Sequence, residues 1–240
     1  MLVSALSVAE FAGLLANPGR SAMCLALLDG CERSAGELAR HAGLAPSTAS
    51  EHLALLVDGG LLVASRRGRH RYLRIASPQA ARLIEDVVAV VGRAEQPRSL
   101  RGVRAGKALQ AGRTCYDHLA GRLGVGVCNA LQHTGHLRLH DDVLALTDGG
   151  RAWLAGFGDV AGGVDGLTSR PASARPLVRT CLDWTERRPH LGGLAGALVC
   201  EQFLTRGWVV RDARSRAVSL TDLGRAEATR EFGHRITQPA

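Results

Sequence analysis

Lysine, aromatic side chains and closely spaced cysteines are all scarce in this sequence. Lys107 is the only lysine, and Phe, Trp and Tyr make up 4% of the 240 residues. The six cysteines include no CxxC pair. In a reducing compartment they stay thiols unless they bind a metal or are oxidised. A low aromatic content beside abundant Ala, Leu, Gly and Arg favours small helical modules over aromatic-rich sandwiches.

Long apolar runs and the common catalytic motifs are also missing. No stretch is long and apolar enough to span a bilayer, and the amino-terminal run carries Glu10 and lacks the basic start of a signal peptide. We therefore expect a cytoplasmic protein with no membrane partner. The sequence has no HExxH motif and no Gly-rich loop followed by Lys and Ser or Thr, which counts against zinc proteases and P-loop enzymes.

Charge of one sign dominates what is present. Thirty Lys and Arg residues against 22 Asp and Glu residues give a formal net charge of +8 and a pI of about 9.9. Nearly all of that positive charge is arginine. A basic balance of this kind suits an acidic polymer such as nucleic acid as the partner.

Residues 34–74 predict a helix-turn-helix. A first helix spans residues 36–41 and stops at Gly43. A second helix begins at Ser47 or Thr48, which are good N-caps after Pro46. The second helix repeats apolar residues at helical spacing, namely Ala49, Leu53, Leu56 and Val57.

A basic ribbon follows the second helix. Residues 61–65 and 72–75 read as two strands joined by an arginine-rich tip, which is the winged form of the motif. The alternative interpretation of residues 34–74 is a helical hairpin followed by a solvated basic loop. We predict that the helix reads base edges and that the wing neutralises phosphates. The predicted DNA-binding residues are Ser47, Thr48, Ser50, Glu51, His52, Arg66, Arg67, Arg69, His70 and Arg71.

From about residue 6 to residue 91 the sequence resembles the ArsR/SmtB family of bacterial regulators. The resemblance is carried by the segments LLANPGR (14–20), ELA (37–39), STASEHL (47–53), GLL (60–62) and GRHRY (68–72). It implies a winged-helix domain over residues 1–94, a homodimer held by helices near residues 3–15 and 78–92, and repression of operator DNA until an effector releases it. Metal-sensing members often carry a cysteine pair in the helix before the recognition helix, whereas residues 37–41 here contain no cysteine.

The second half of the chain contains an internal repeat. Arg113-Thr114-Cys115-Tyr116-Asp117 recurs as Arg179-Thr180-Cys181-Leu182-Asp183, and LTDGGRA (146–152) recurs as LTDLGRA (220–226). We predict a linker at 95–112 and a sensor domain at 113–240, with repeats at about 113–158 and 177–234. Each repeat reads as helix, helix, short hairpin, helix, without an obvious recognition helix. The predicted fold class is mainly α with small β-hairpins (α+β), in which an N-terminal winged helix-turn-helix precedes two degenerate winged-helix-like repeats.

The candidate effector site lies between the two repeats. Cys115 and His118 are three residues apart, so they share a helix face in the predicted first helix, and Cys181 with Trp184 is the equivalent pair. The predicted effector residues are Cys115, Asp117, His118, Cys181, Asp183 and Trp184. Within this set, Cys115, His118 and Cys181 could hold a soft metal ion or a metalloid. A small organic effector, or duplication of a buried cysteine without any effector role, are the alternatives.

These observations favour a DNA-binding transcriptional regulator, an effector-responsive repressor that binds operator DNA as a homodimer. The rival class is a thiol- or metal-dependent enzyme, or a metal-binding protein, whose basic patch is incidental. Cys115, Asp117 and His118 include the residue types of a thiol nucleophile site. Side chains that are neighbours along one helix seldom form the hydrogen-bonded series of nucleophile, base and orienting group that such catalysis requires. We therefore expect a regulator and not an enzyme.

Overall fold

A computed structural model describes residues 4–68, 70–91, 100–158, 176–233 and 236. The chain divides into two compact units, residues 1–87 and 88–240. The described part is mainly helical with small antiparallel sheets, as predicted. None of its helices combines the length and the apolar character needed to cross a membrane. The predicted boundary at residue 94 lies outside the described residues.

The N-terminal unit has the order of elements expected for a winged helix. Its elements are α1 (Ala5–Leu15), α2 (Pro18–Ala26), β1 (Arg33–Ser34), α3 (Ala35–Ala42), α4 (Pro46–Asp58), β2 (Leu62–Arg67) and β3 (His70–Ile75), followed by α5 (Pro78–Val91), which crosses into the second unit. The antiparallel sheet has the order β1-β3-β2, and the register of β2 and β3 ends at the pair Arg67 and His70. The ribbon predicted from the sequence is therefore present.

Local signals explain where α3 ends and α4 begins. Ser34 and Glu37 form a reciprocal capping box at the start of α3, and Gly43 ends it with a left-handed φ of 66°. The prediction that Ser47 or Thr48 caps α4 is wrong. The first helical residue is Pro46, whose fixed φ suits that position. The N-cap is Ala45, which makes no side-chain hydrogen bond.

The core of the N-terminal unit is aliphatic. Leu38 of α3, Leu53 and Leu56 of α4 and Leu73 of β3 are all fully buried. Each such burial stabilises the fold by about 1.5–3 kcal/mol. The helix α1 contributes no buried residue to this core.

The predicted linker at 95–112 is largely helical. Residues 100–111 form α6 (Leu100–Ala111), whereas residues 95–99 lie outside the described residues. The helix forms because it has an apolar contact to make: Leu109 is buried, and α6 packs against elements of the second unit. This stretch therefore belongs to the C-terminal unit.

The C-terminal unit contains one succession of elements twice: hairpin, helix, hairpin, helix. The first succession is β4 (Arg113–Cys115), β5 (His118–Ala120), α7 (Gly121–His133), β6 (Leu137–His140), β7 (Val143–Leu146) and α8 (Asp148–Gly158). The second is β8 (Arg179–Leu182), β9 (Pro189–Gly192), α9 (Gly193–Thr205), β10 (Val209–Arg211), β11 (Val218–Leu220) and α10 (Asp222–Phe232). The hairpins predicted at 136–146 and 208–220 are confirmed.

The helix predicted to open each repeat is wrong, because a β-hairpin stands in its place. Arg113–Cys115 pairs with His118–Ala120 through a turn in which Tyr116 has a φ of 64°. A helix cannot continue through this left-handed residue. Gly121, with a φ of 71°, then begins α7, and an added Cβ there would lie 2.6 Å from the carbonyl oxygen of Gln110. Gly193 begins α9 in the same way, with a φ of 82°.

The first strand of the C-terminal unit contacts a segment that comes much later in the chain. Arg113 of β4 forms an antiparallel bridge with Ala217, and the Val218 amide donates to the Gly112 carbonyl oxygen at 2.9 Å. One core cluster of the unit includes the aromatic rings of Phe157, Phe203, Trp208 and Phe232. Both repeats therefore contribute residues to the same cluster.

Candidate functional sites

The outer face of α4 carries the predicted base-reading residues. Ser47, Ser50 and Glu51 are exposed, and Thr48 is half-buried. The Ser50 hydroxyl donates to the Pro46 carbonyl oxygen at 2.8 Å, which turns it back onto its own helix. Short hydroxyls and one carboxylate therefore line the exposed start of the helix, where a recognition helix meets base edges.

His52 is placed differently from the other predicted α4 residues. It is half-buried, and its Nδ1 lies 3.5 Å from a guanidinium nitrogen of Arg20. The same guanidinium donates to the carbonyl oxygens of Leu14 and Gly13, each at 2.6 Å. Arg20 thus ties the end of α1 to α4. The sequence reasoning did not assign this role to Arg20.

The tip of the wing presents cations to solvent. Arg66, Arg67 and His70 are exposed and Arg71 is half-buried, while Arg69 lies outside the described residues. In the register of the ribbon Arg66 stands opposite Arg71, so two like charges face each other across the strands. Like charges at such close quarters repel, and a phosphate bound between them would relieve that repulsion.

Arg67 is engaged within the protein. Its guanidinium forms an ion pair with Glu32 and lies 5.3 Å from the centre of the Tyr72 ring. Arg74 approaches the same Glu32 carboxylate at 3.9 Å. Part of the positive charge of the wing is therefore balanced within the protein, because Glu32 pairs with Arg67 beside the tip and approaches Arg74 farther along β3.

A second candidate site lies inside the C-terminal unit. Cys115, His118, Cys181 and His190 each offer one ligand atom, and these atoms all lie within 4.8 Å of one another. All four side chains are buried, with exposed fractions of 1–3%. The two sulfur atoms are 3.9 Å apart, and the two imidazole rings stack with their centres 5.0 Å apart.

The hairpins explain how these side chains meet. Cys115 is the cross-strand partner of His118, and Cys181 is the cross-strand partner of His190. The first pair therefore faces across two strands and does not share a helix face. Each hairpin supplies one thiol and one imidazole.

Trp184 is not the equivalent of His118, and that part of the sequence prediction is wrong. Its ring packs over the Arg113 guanidinium at 4.7 Å, while His190 takes the position beside Cys181. The sequence did contain a signal for this pairing. His118-Leu119-Ala120-Gly121 recurs as His190-Leu191-Gly192-Gly193, an offset of 190 − 118 = 72.

The two predicted aspartates lie behind the imidazoles. The Asp117 carboxylate is 3.4 Å from His118 Nδ1, and the Asp183 carboxylate is 3.8 Å from His190 Nδ1. Burial alone would lower the pKa of His118, but the neighbouring Asp117 and Cys115 side chains outweigh burial and raise it. Neither aspartate lies in the first turn of a helix, because each follows a β-strand.

Asp183 also has a structural role. It forms a fully buried ion pair with Arg113 at 3.0 Å and accepts a hydrogen bond from the Gly121 amide at 2.7 Å. Burial would raise the pKa of Asp183, but Arg113, His190 and these hydrogen bonds hold it well below its ordinary range. Asp183 therefore stays ionised inside the core.

The remaining cysteines lie outside this cluster. Burial raises the pKa of the Cys24 and Cys128 thiols to about 12 and that of Cys200 to about 11. Cys31 is half-buried. Thiols with such a high pKa are poor nucleophiles, so Cys24, Cys128 and Cys200 behave as small core residues.

The helix-turn-helix and its cationic wing define a winged helix-turn-helix DNA-binding protein. A model described as "Helix-turn-helix domain" matches residues 15–64. The HTH-type transcriptional regulator YdfF of Bacillus subtilis is 36% identical over 219 residues, which cover 91% of this chain and 94% of that protein. The chain belongs to the ArsR/SmtB-type family of transcriptional regulators.

Other relatives match the N-terminal part alone. The HTH-type transcriptional regulator CmtR of Mycobacterium tuberculosis is 39% identical over 85 residues, covering 35% of this chain and 71% of that protein. A solved homodimeric winged helix-turn-helix domain of a possible ArsR-family regulator from Mycobacterium bovis is 38% identical. That comparison covers 35% of this chain and 78% of the solved chain, with a TM-score of 0.34. YdfF and CmtR are both HTH-type transcriptional regulators, which supports a regulator over the enzyme alternative.

Proposed function

We propose that this regulator is an effector-responsive repressor that binds operator DNA as a homodimer through α4 and the β2–β3 wing. The observation that carries the proposal is the pairing of an exposed polar helix face with a cationic hairpin on one compact unit. The helix face supplies groups for base edges, and the wing supplies charge for phosphates.

Contacts on α4 and on the wing have different consequences. Ser47, Thr48 and Glu51 discriminate between sequences, because hydroxyls and carboxylates bond to base edges. Arg66 and Arg71 bind phosphates, which adds affinity for every sequence and makes binding salt-dependent. His52 acts through Arg20 as part of the helix support, and its proposed effect on sequence preference is indirect.

A homodimer is supported by apolar surface that the chain itself leaves uncovered. On α1 the side chains of Leu6 and Val8 are 69% and 58% exposed, and on α5 Val87 is 44% exposed. Apolar helix faces of this kind favour burial against a second copy. The two-fold symmetry of a dimer would present two recognition helices to a pseudo-palindromic site.

We also propose that the C-terminal unit senses the effector at the cluster around Cys115, Asp117, His118, Cys181 and Asp183. The support is that two hairpins meet there. A ligand that binds one arrangement of the hairpins better than another shifts the population towards it. A soft metal ion and a small organic effector both remain candidates at this level.

A binding experiment tests the DNA-reading part. Duplexes selected from a random pool by the full chain are titrated by fluorescence anisotropy over a range of salt concentrations. Arg66→Ala should weaken binding to all duplexes and reduce the salt slope by about 1 for each lost phosphate contact, hence about 2 for a dimer.

Arg138→Ala is the matched control, because Arg138 is an exposed arginine on a hairpin of the other unit. This variant removes the same charge and should leave the salt slope unchanged. Equal affinity for selected and random duplexes at physiological salt would contradict operator recognition. A stable monomer in sedimentation velocity at micromolar concentration would contradict the homodimer.

A further inference from the structure

We propose that Cys115, His118, Cys181 and His190 bind one zinc ion per chain in a closed, tetrahedral site. The role of zinc as the effector rests on the proposed function, whereas zinc binding itself does not. Two thiolates and two imidazoles are a common ligand set of four-coordinate zinc. None of these residues lies in the winged helix-turn-helix.

The spacing of the ligand atoms fits this ion. Zinc bonds to cysteine sulfur at about 2.3 Å, so two sulfurs at a tetrahedral angle lie about 3.8 Å apart. The Cys115 and Cys181 sulfurs are 3.9 Å apart. Because all four ligand atoms already lie within 4.8 Å of one another, small side-chain rotations complete the tetrahedron.

Buried nitrogen atoms without partners point to the same occupant. Among the described residues, His118 Nε2 and both ring nitrogens of His190 are buried and have no hydrogen-bond partner. Buried polar atoms are almost always satisfied, because leaving one unpaired costs its full desolvation. A metal ion satisfies a lone pair on each imidazole at once.

The carboxylates behind the imidazoles complete the pattern. Asp117 lies beside Nδ1 of His118 and Asp183 beside Nδ1 of His190, which leaves Nε2 of each ring for the metal. A carboxylate that accepts from the far side of a ligating imidazole fixes its tautomer and raises its basicity. Each hairpin places a carboxylate on this side of its imidazole, at hydrogen-bond distance in the case of His118 and at 3.8 Å in the case of His190.

Charge balance favours a divalent ion such as zinc over monovalent copper. Binding replaces two thiol protons, which leave to solvent, with one divalent cation, so the buried centre is neutral. A neutral centre avoids the cost of burying net charge. Tetrahedral sites with two sulfur and two nitrogen ligands favour zinc, since it has no other geometric preference.

The test measures metal binding directly on the full chain. Protein freed of metal and kept reduced is titrated with cobalt(II), whose visible absorption reports tetrahedral geometry and whose thiolate charge-transfer band reports sulfur ligands. We expect one cobalt ion per chain, displaced stoichiometrically by zinc. Native mass spectrometry should count one zinc ion per chain.

The cysteines provide a matched pair of variants. Cys115→Ser with Cys181→Ser should lose the bound ion and the charge-transfer band. Cys128→Ser with Cys200→Ser changes two other buried cysteines, which stand at equivalent points of α7 and α9. This double variant should keep the bound ion and the charge-transfer band. Equal metal binding by the two double variants, or no binding by the wild type, would overturn the proposal.

Two further measurements cover a variant that fails to fold. In the wild type, zinc should slow alkylation of Cys115 and Cys181 but leave Cys31 unchanged, as mapped by peptide mass spectrometry. Identical labelling with and without zinc, or a Cys115–Cys181 disulfide in place of the metal, would overturn the site. Asp117→Asn should weaken zinc binding about 10- to 100-fold, and unchanged affinity would contradict the role given to the carboxylate.

Operator affinity is then measured with and without zinc. A change that the Cys115→Ser, Cys181→Ser protein lacks supports zinc as the effector. One bound zinc ion without any change in operator affinity would refute the effector role while supporting the zinc site. Failure of operator binding in every form would refute the proposed function and leave the metal measurement standing.

Discussion

Replacing Asp183 with Asn should strongly destabilise the C-terminal unit. Its Oδ1 accepts from the amides of Thr185 and Glu186 and from the Thr185 hydroxyl, at 2.9, 3.0 and 2.6 Å. Its Oδ2 accepts from Gly121 and from the Arg113 guanidinium, at 2.7 and 3.0 Å. Asp183→Asn removes the charge that balances a guanidinium with no exposed surface.

The magnitude follows from the burial of the ion pair. Removing one partner of a buried pair costs about 3–5 kcal/mol, since the other charge is left uncompensated. With a urea dependence of about 2 kcal/mol per molar, a loss of about 4 kcal/mol lowers the unfolding midpoint by about 2 M. The three tryptophans, Trp153, Trp184 and Trp208, all lie in the C-terminal unit, so their fluorescence follows its unfolding.

Asp117→Asn is the matched control. Asp117 stands at the equivalent point of the first repeat, but its side chain is 34% exposed, whereas that of Asp183 has no exposed surface. In the presence of a chelator this change should cost about 1 kcal/mol or less. If Asp183→Asn and Asp117→Asn have equal effects, or if Asp183→Asn leaves the midpoint unchanged, the account of the buried pair is refuted.

Two more predictions concern a close approach and a helix cap. Gly124→Ala should destabilise the C-terminal unit by about 1–3 kcal/mol, because an added Cβ would lie 2.3 Å from the Leu119 carbonyl oxygen. Gly156→Ala, at a helical glycine with nothing within 4 Å, should instead be neutral or stabilise by up to about 1 kcal/mol, and urea unfolding of both variants checks the contrast. Hydrogen bonds from the Ser34 backbone and side chain lower the pKa of Glu37, so its contribution is present at neutral pH and is lost as the pH falls through its folded-state pKa. Glu37→Gln should therefore be less stable than the wild type at neutral pH, and the gap, followed by far-UV circular dichroism, should narrow in acid; a gap that widens would contradict this sign.

The N-terminal unit could be predicted because its signals are local. The capping pair Ser34 and Glu37, the left-handed Gly43 and the apolar spacing of α4 are each legible within a few residues. The start of α4 could not be predicted from cap preference, because Ser and Thr are favoured N-caps and Ala45 takes that position without a side-chain hydrogen bond. The role of Arg20 could not be predicted, because its contacts with Gly13 and His52 depend on how α1, α2 and α4 pack.

The hairpin that opens each repeat of the C-terminal unit could not be predicted from spacing. A separation of three residues between Cys115 and His118 fits a helix face and a tight two-residue turn equally well. In the second repeat the pair is separated by 190 − 181 = 9 residues, since the turn between β8 and β9 is longer. The short spacing therefore pairs Cys181 with Trp184, whereas the fold pairs it with His190.

The bridge between Arg113 and Ala217 has a consequence for the order in which the chain folds during synthesis. These residues are 217 − 113 = 104 apart, so β4 can pair with β5 at once but cannot form this bridge until most of the chain has left the ribosome. The N-terminal unit ends at residue 87 and depends on no such distant partner for its own sheet. A nascent chain thus completes its winged helix while the cysteine and histidine ligands of the second hairpin are still to be translated.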